Sequence, residues 1–592
     1  MCGILGYIRR NSTVDRSEFK KALDLIRHRG PDDQGIYINP NENIALGHHR
    51  LSFLDLSALG KQPLANKEGT IWLTFNGEIY NYLEIKKELE ALGQTFKTHS
   101  DSEVIVVGYE VWGIDVIHKL EGMFAFGLLD ERKQQLFLVR DPFGIKPLYY
   151  HHSKEDLIFC SELKSVIALK PALKSIDYTA FTDFFVYRYV PSPKSIWKDV
   201  QKLPPAHYAK FDIRNHTLEL KEYWQPTFAR HSMKEKELIE EVDHLLLSSV
   251  NHHTRADVPI GSFLSGGYDS SAMVYYCSRF GYQPQTFSIG FQDWKKSEHH
   301  SAQIVADYFK VPLDSVLANE NDLSLIDIMP QVYDEPIADI SIIPTYMVSR
   351  LARKKVKAVL SGEGADELFG GYHWQKEYYA KKYNAGWLQR IKGLLTPDHP
   401  VDFYSNAMSM GNFDKDKLVE LMTPDLHLNI SDDTNWFYKQ HYKPELGHLK
   451  SIQWMDVKCF MGELVLTKID RASMANSLEV RVPFLDRKLF ELIFSLEERN
   501  YFKPEHTKFV LYKNLEGHLP NSILKRNKQG FVGPDKYYMN KKWYAQLFEK
   551  SNLVKDGLIN GKFIDQLLSE QYDWRLWKLA VMEKWYSHWM TK

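Results

Sequence analysis

The residue with the most chemical potential in this sequence is Cys2, directly after the initiator methionine. Removal of Met1 would leave a thiol and a free α-amine on one residue. An α-amine has an intrinsic pKa of about 7.7–8.0 and a thiol about 8.5, so near neutral pH the amine takes the thiol proton directly or through water. No histidine is then needed to make a nucleophile. The plain alternative is that Cys2 merely opens the buried strand that Gly3-Ile4-Leu5 suggests. Four polar strings, each beside an apolar run, carry groups that could serve such a thiol: Arg27 to Asp32, His48 to Ser52, Phe75 to Asn81 and Ser100 to Glu103. Taken alone, Asn76-Gly77 is also the dipeptide of a tight hairpin, and Arg50 and Asp101 are residues that usually form surface ion pairs.

A second chemistry is written in Phe263-Leu264-Ser265-Gly266-Gly267-Tyr268-Asp269-Ser270-Ser271. An apolar run leads into a Gly/Ser loop and then a helical pattern, where backbone N–H groups and the positive helix end attract phosphate. The lysine of a GxxxxGK[ST] loop is missing, so this is not a P-loop. A later acidic string, Ser361-Gly362-Glu363-Gly364-Ala365-Asp366, also follows a strand-like run and belongs at the same carboxyl edge of a sheet, where ligands bind. Magnesium takes one or two carboxylates plus phosphate oxygens, which suits Asp269 and Asp366; their alternative role is helix N-capping.

Two kinds of scaffold must hold these groups. The amino-terminal part carries short strand-like runs, Ile71–Phe75, Met123–Leu129, Leu136–Val139 and Leu148–Tyr150, with helical runs at Glu84–Leu92 and Ser102–Tyr109. That pattern predicts an α+β unit built on antiparallel sheets. From Val258 strands and helices alternate, with strands expected at Thr286–Phe291 and Val356–Leu360 and helices from about Ser271 and near Ala302, the signature of a parallel α/β unit. The proline-bearing stretch before Pro226 and the helical spacing of Leu238, Ile239, Val242, Leu245, Leu246 and Val250 divide the chain into 2–210, a linker 211–235, and 236–592. After about residue 400, Trp, Tyr and Leu at helical spacing predict helical additions.

At roughly 100–200 residues per domain, a chain of 592 residues exceeds a single small binding module. Its 75 basic and 76 acidic side chains supply no general positive field for nucleic acid. No apolar stretch reaches the about 20 residues of a membrane helix. Four dispersed cysteines make no disulfide framework or CxxC zinc site, which implies a reducing, cytoplasmic setting. The pairs His48-His49, His151-His152, His252-His253 and His299-His300 lack the companions of a metal site and are taken as ordinary histidines.

With these strings in view, residues 2–210 resemble the glutaminase domain of class II, N-terminal-nucleophile amidotransferases, and the SGGxDSS loop resembles that of ATP pyrophosphatases, which release AMP and pyrophosphate. Adding Asp334-Glu335-Pro336, Lys468 to Ala475, Ser477 to Asp486 and Lys528 to Phe531, nearly the whole chain resembles the glutamine-hydrolysing asparagine synthetase family. The resemblance implies an antiparallel-sheet sandwich joined to a parallel α/β unit, with ATP and Mg2+ as cofactors. It makes Cys2 the attacking thiolate, Asn76 and Gly77 the oxyanion donors, and Arg50, Glu78 and Asp101 the holders of glutamine. It puts Leu264, Ser265, Gly266, Gly267, Asp269, Ser270, Ile289, Ser361 and Gly362 around ATP, and Asp269 and Asp366 on the metal. Glu363 becomes the acceptor of a proton from ammonia, and Lys528 the stabiliser of charge on an acyl-adenylate. Arg471 and Arg481 are expected to pack against carboxylates. An ammonia channel between the units also follows from the likeness.

The partners expected are glutamine, ATP and an acceptor carboxylate, with neither nucleic acid nor membrane; a homodimer is left open. Aspartate is the first-choice acceptor, and a sugar uronic acid or a peptide carboxylate the alternative, because Tyr268 stands where such synthetases more often have leucine. A non-enzymatic regulatory protein would have lost Cys2 or the aspartates. A phosphoribosyl-type amidotransferase would lack the Ser265–Ser271 loop.

Overall fold

The computed structural model describes residues 2–228, 231–381, 399–526, 529–531 and 533–591. Two six-stranded sheets form the amino-terminal unit. In one, the strands lie in the order Gln201–Lys202, Tyr149–His152, Asp156–Cys160, Gly3–Arg9, Ile44–Arg50, Asp33–Ile38, every pair antiparallel. In the other the order is Thr217–Glu222, His207–Asp212, Gln135–Arg140, Gly122–Asp130, Ile71–Ile79, Leu64–Ala65, again antiparallel.

The sheets pack face to face because their strands turn apolar side chains inward: Ile4, Ile8 and Leu46 from one meet Leu129, Leu136 and Leu138 from the other. Phe159 fills the centre, and its ring explains two strand-interior glycines. A Cβ on Gly6 would stand 1.9 Å from the ring and one on Gly127 2.4 Å. Burying that ring contributes about 1.5–3 kcal/mol. Helices Arg16–Asp24 and Leu163–Leu169 cover the outside of the first sheet, and Glu103–Trp112 the outside of the second.

The second sheet runs to Glu222, inside the stretch 211–235 assigned to a linker from the sequence. Thr217–Glu222 pairs throughout with His207–Asp212. It is an edge strand in which Leu218 and Leu220 alternate with Thr217, Glu219 and Lys221, but even Leu220 is exposed, so the alternation marks no buried face.

The carboxyl-terminal unit is a five-stranded parallel sheet in the order Leu313–Ala318, Thr286–Phe291, Ile260–Phe263, Ala358–Leu360, Glu479–Arg481. Parallel neighbours require crossovers; helix Tyr268–Arg279 supplies the one from Ile260–Phe263 to Thr286–Phe291, and helix His299–Phe309 the one from there to Leu313–Ala318. The helix Glu235–His253 buries Leu238, Val242, Leu246 and Val250 as one stripe. The chain beyond residue 400 is largely helical, and its last helix, Arg575–Met590, packs back onto the first unit: the Trp585 ring lies tilted against Trp197, ring centroids 5.4 Å apart.

Buried ions lock the two units together. Arg29 donates to Glu162 Oε1 at 2.8 Å and to both oxygens of Asp470 at 2.9 and 3.2 Å. Arg471 lies 3.1 Å from the same Glu162 oxygen, and Lys164 lies 3.1 Å from Asp334. Such pairs add little net stability but are costly to break one-sidedly, so they fix how the units dock. Among the described residues, no helix is long and apolar enough to cross a membrane.

Candidate functional site

Cys2 is buried where the strand Gly3–Arg9 begins. Its backbone N–H donates to Asn76 Oδ1 at 2.9 Å, and its carbonyl accepts from Arg29 Nε at 3.0 Å. Asn76 and Gly77 are not a hairpin tip. They lie inside the strand Ile71–Ile79, opposite Ala125 and Phe124. Gly77 is required there by close approach, since a Cβ would stand 2.1 Å from the Met123 carbonyl oxygen.

With Oδ1 committed to Cys2, Asn76 Nδ2 is buried with no hydrogen-bond partner among the described residues. Leaving a buried amide donor unmet costs about 1–3 kcal/mol, and here the amide belongs to the side chain that holds the Cys2 N–H. Burial also pushes the Cys2 thiol up, with the Leu51 backbone and Arg50 opposing.

The glutamine-holding candidates divide. Asp101 Oδ2 accepts from the Ile79 N–H at 2.7 Å, which ties it to the strand of Asn76. Its carboxyl is pushed up to about 6 by burial, against that N–H and Arg481. Arg50, at the end of the strand Ile44–Arg50, turns its fork toward loop carbonyls, donating to Leu54 at 2.9 Å, Asp55 at 2.7 Å and Ser57 at 3.2 Å. Glu78 lies 3.3 Å from Arg481 Nη2, a residue of the second unit. Burial drives Glu78 well above the usual carboxylate range, with Arg481 opposing. Arg481 also pairs with Glu479 at 2.6 Å and sits over the ring of Phe53, so it packs against carboxylates as expected.

The second pocket is made of loops at the carboxyl ends of the parallel strands. Leu264 N–H donates to the Phe287 carbonyl at 2.8 Å, placing Leu264 beside the strand that carries Ile289. Ser265 N–H donates to Ser270 Oγ at 3.1 Å, and the two hydroxyls are 3.0 Å apart. Gly266 adopts a φ of 72°, and a Cβ there would meet the Ser301 carbonyl carbon at 2.4 Å. The helix starts at Tyr268, earlier than its pattern suggests, because Gly267 caps it without a side chain, leaving first-turn N–H groups for an anion.

Ser361 N–H donates to the Arg481 carbonyl at 2.8 Å, and Gly362 lies against Asp269, where a Cβ would stand 2.7 Å from that of Asp269. The two loops therefore meet. Asp269 and Asp366 are not helix caps; the caps of their helices are Gly267 and Gly364. Both carboxylates close on Lys508, whose Nζ donates to Asp269 and lies 2.9 Å from Asp366 Oδ1. Burial disfavours that ammonium, but Asp269 and Asp366 outweigh it and raise it above the ordinary lysine range.

Two carboxylates that already converge on one cation fit a magnesium ion completed by phosphate oxygens and water. Among the described residues no cluster of three His, Cys, Asp or Glu could hold a metal unaided. Glu363 Oε2 is buried without a hydrogen-bond partner among the described residues, and burial raises this carboxyl. Lys528 lies outside the described residues. Lys508 escapes sequence reasoning because Thr507-Lys508-Phe509 belongs to no phosphate motif and its φ of 53° cannot be read from composition.

The family model described as glutamine amidotransferase domain matches residues 1–224, and that described as asparagine synthase matches residues 241–587. Asparagine synthetase [glutamine-hydrolyzing] 1 of Bacillus subtilis is 33% identical, covering 99% of this chain and 96% of its own. A putative asparagine synthetase of Methanocaldococcus jannaschii is 41% identical over 63% of this chain and 76% of its own. An amidase of Gibberella zeae is 28% identical over 92% and 89%. The chain belongs to the asparagine synthase family: it is a carbon–nitrogen ligase that takes its amido group from glutamine and drives amidation with ATP.

Proposed function

We propose that this enzyme converts aspartate to asparagine, releasing glutamate, AMP and pyrophosphate. In the first pocket, Cys2 Sγ attacks the side-chain carbonyl carbon of glutamine after its proton passes to the α-amine of the processed chain. The developing oxyanion meets Asn76 Nδ2 and the Gly77 N–H. The carbon–nitrogen bond breaks, ammonia leaves with the proton, and water cleaves the thioester to glutamate. Asp101 and Glu78 take the substrate ammonium, and Arg50 its carboxylate.

In the second pocket Leu264, Ile289, Ser361 and Gly362 hold adenosine and its ribose, while Ser265, Gly266, Gly267 and Ser270 cradle phosphate. Magnesium, held by Asp269 and Asp366, would neutralise pyrophosphate charge. The acceptor carboxylate attacks the α-phosphorus and pyrophosphate departs. Adenylation is needed because a free carboxylate is a poor electrophile. Ammonia, delivered within the protein, attacks the acyl carbon, the bond to AMP breaks, and Glu363 accepts a proton. Lys528 neutralises charge on the adenylate.

The observation that carries this reading is the convergence of Asp269 and Asp366, from two separate strand ends, on one cation beside the Gly/Ser loop. The test is to supply glutamine and ATP-Mg with aspartate and other acids. The expected result is acceptor-dependent pyrophosphate release matched by AMP, glutamate and asparagine. Glutamate formed without any acceptor-dependent pyrophosphate would overturn it.

A further inference from the structure

One residue of the Gly/Ser string, Tyr268, takes no part in the chemistry of the second pocket. It opens the helix Tyr268–Arg279, between the capping Gly267 and Asp269. A tyrosine can spend its ring on packing and its hydroxyl on a hydrogen bond, and Tyr268 does both. The hydroxyl donates to the carbonyl of Leu524, at the end of the short helix Asn521–Leu524. The last carbonyls of a helix have no partner within it, so this donor meets an acceptor that the helix leaves open. The half-buried ring lies against that of Tyr512, tilted at 46° with centroids 6.2 Å apart. Tyr512 belongs to the helix Phe509–Leu515, and its N–H donates at 2.8 Å to the carbonyl of Lys508, the cap of that helix.

The other end of the Gly/Ser loop is held as well. Arg526 Nη1 donates to the Ser265 carbonyl at 3.3 Å, while its Nη2 lies 3.6 Å from Glu298 and donates to Gln529 Oε1 at 3.2 Å. Gln529 donates in turn to the Lys296 carbonyl at 2.9 Å. Tyr268 and Ser265 are thus each bonded to the stretch 521–526, at residues 256 and 261 positions further along the chain. Between them stand Gly266 and Gly267, whose backbone freedom must be removed by contacts. Bonds between Ser265 and Ser270 close the loop from within. The ties to Leu524 and Arg526 fix where it stands.

We propose that Tyr268 is a positioning residue for the nucleotide. Together with Arg526 it docks the stretch 521–526 and the helix Phe509–Leu515 against the Gly/Ser loop, and so sets how tightly ATP is held without choosing the acceptor. The assignment rests on the reading of that loop as the cradle for ATP phosphate. A leucine at this position would keep an apolar contact with Tyr512 and lose the bond to Leu524.

The test measures ATP binding to the full chain by calorimetry, with Mg2+ present and no acceptor, alongside pyrophosphate release from ATP with a set of acids and ammonium chloride. Tyr268→Phe keeps the ring and removes the hydroxyl. It should weaken ATP binding about 3- to 10-fold, the scale of one hydrogen bond, and raise the KM for ATP to match while kcat moves little. Glutamine hydrolysis, Tm and the ranking of acids should stay as in wild type, and Tyr268→Leu should lose at least as much ATP affinity. Arg526→Gln should also weaken ATP binding. Because both residues hold one segment, the double variant should lose less than the product of the single losses; a fully multiplicative loss would overturn the shared docking. Unchanged ATP binding in Tyr268→Phe, or a changed ranking of acids with ATP binding intact, would overturn the role of Tyr268 and leave the amidation reading standing. Wild type that binds ATP yet releases no pyrophosphate with any acid would overturn the amidation reading alone, since the binding measurement still decides the tie. Wild type that binds no ATP would overturn both.

Discussion

The two pockets are prepared in opposite ways. In the amino-terminal one the reactive groups sit on strands: Cys2 at the foot of Gly3–Arg9 and Asn76 within Ile71–Ile79, held by a ladder that leaves Nδ2 unmet. In the carboxyl-terminal one they sit in the first turns of the helices that begin at Tyr268 and Ala365, and Asp269 and Asp366 already hold the Lys508 ammonium. One site stores an unmade hydrogen bond and needs no rearrangement to use it. The other keeps its anions neutralised by a protein cation, so a metal bound there would have to share or displace that partner.

The sharpest way to break the comparison is to remove each site's chemistry separately. Cys2→Ala should lower glutamine-dependent amidation by a thousand-fold or more, roughly the scale of losing a nucleophile, while ammonium-supported pyrophosphate release stays near wild type. Equal loss with both donors would contradict separate pockets. Asp269→Asn or Asp366→Asn should cut pyrophosphate release by about 100- to 1,000-fold and spare basal glutaminase activity. Unimpaired release would remove them from the phosphate chemistry.

Two smaller effects sharpen it. Asn76→Ala should lower the kcat for glutamine by about 100-fold with little change in KM, as for one lost oxyanion donor; an effect confined to KM would assign the amide to ground-state binding. The remaining effect is in pH. Burial raises the Asp101 carboxyl to about 6, so it is ionised above that value and neutral below. The kcat/KM for glutamine should therefore fall as pH drops through about 6, approaching tenfold per unit, and Asp101→Asn should flatten that limb. A profile unchanged by the substitution would place the titration elsewhere.

Much of this was legible in the pattern of side chains. The run Ile71–Phe75 lies within the strand Ile71–Ile79, and Met123–Leu129 within Gly122–Asp130, because apolar runs ending at turn residues report buried strands directly. The Gly/Ser loop is legible for the same local reason. Asn76-Gly77 misleads in isolation: the dipeptide favours a tight turn, but pairing with Ala125 and Phe124 and the approach of Met123 override that preference. The partners of Lys508 and Arg481 are hundreds of residues away in the chain, at Asp269 and Glu78. Such pairings depend on tertiary closeness that no local spacing encodes. The strand Thr217–Glu222 escapes a sequence reading because its alternation is only Leu218 and Leu220, on an exposed edge that follows a proline-bearing stretch.

Arg481 reaches Glu78 with its side chain, while its own carbonyl receives the Ser361 N–H. A single residue thus spans from one catalytic chamber to the lip of the other, and the units are not interchangeable cartridges. Severing the polypeptide between them would strand Glu78 and Asp470 without their cations, so the halves would face each other as mismatched, charged scars that only their native counterpart can close.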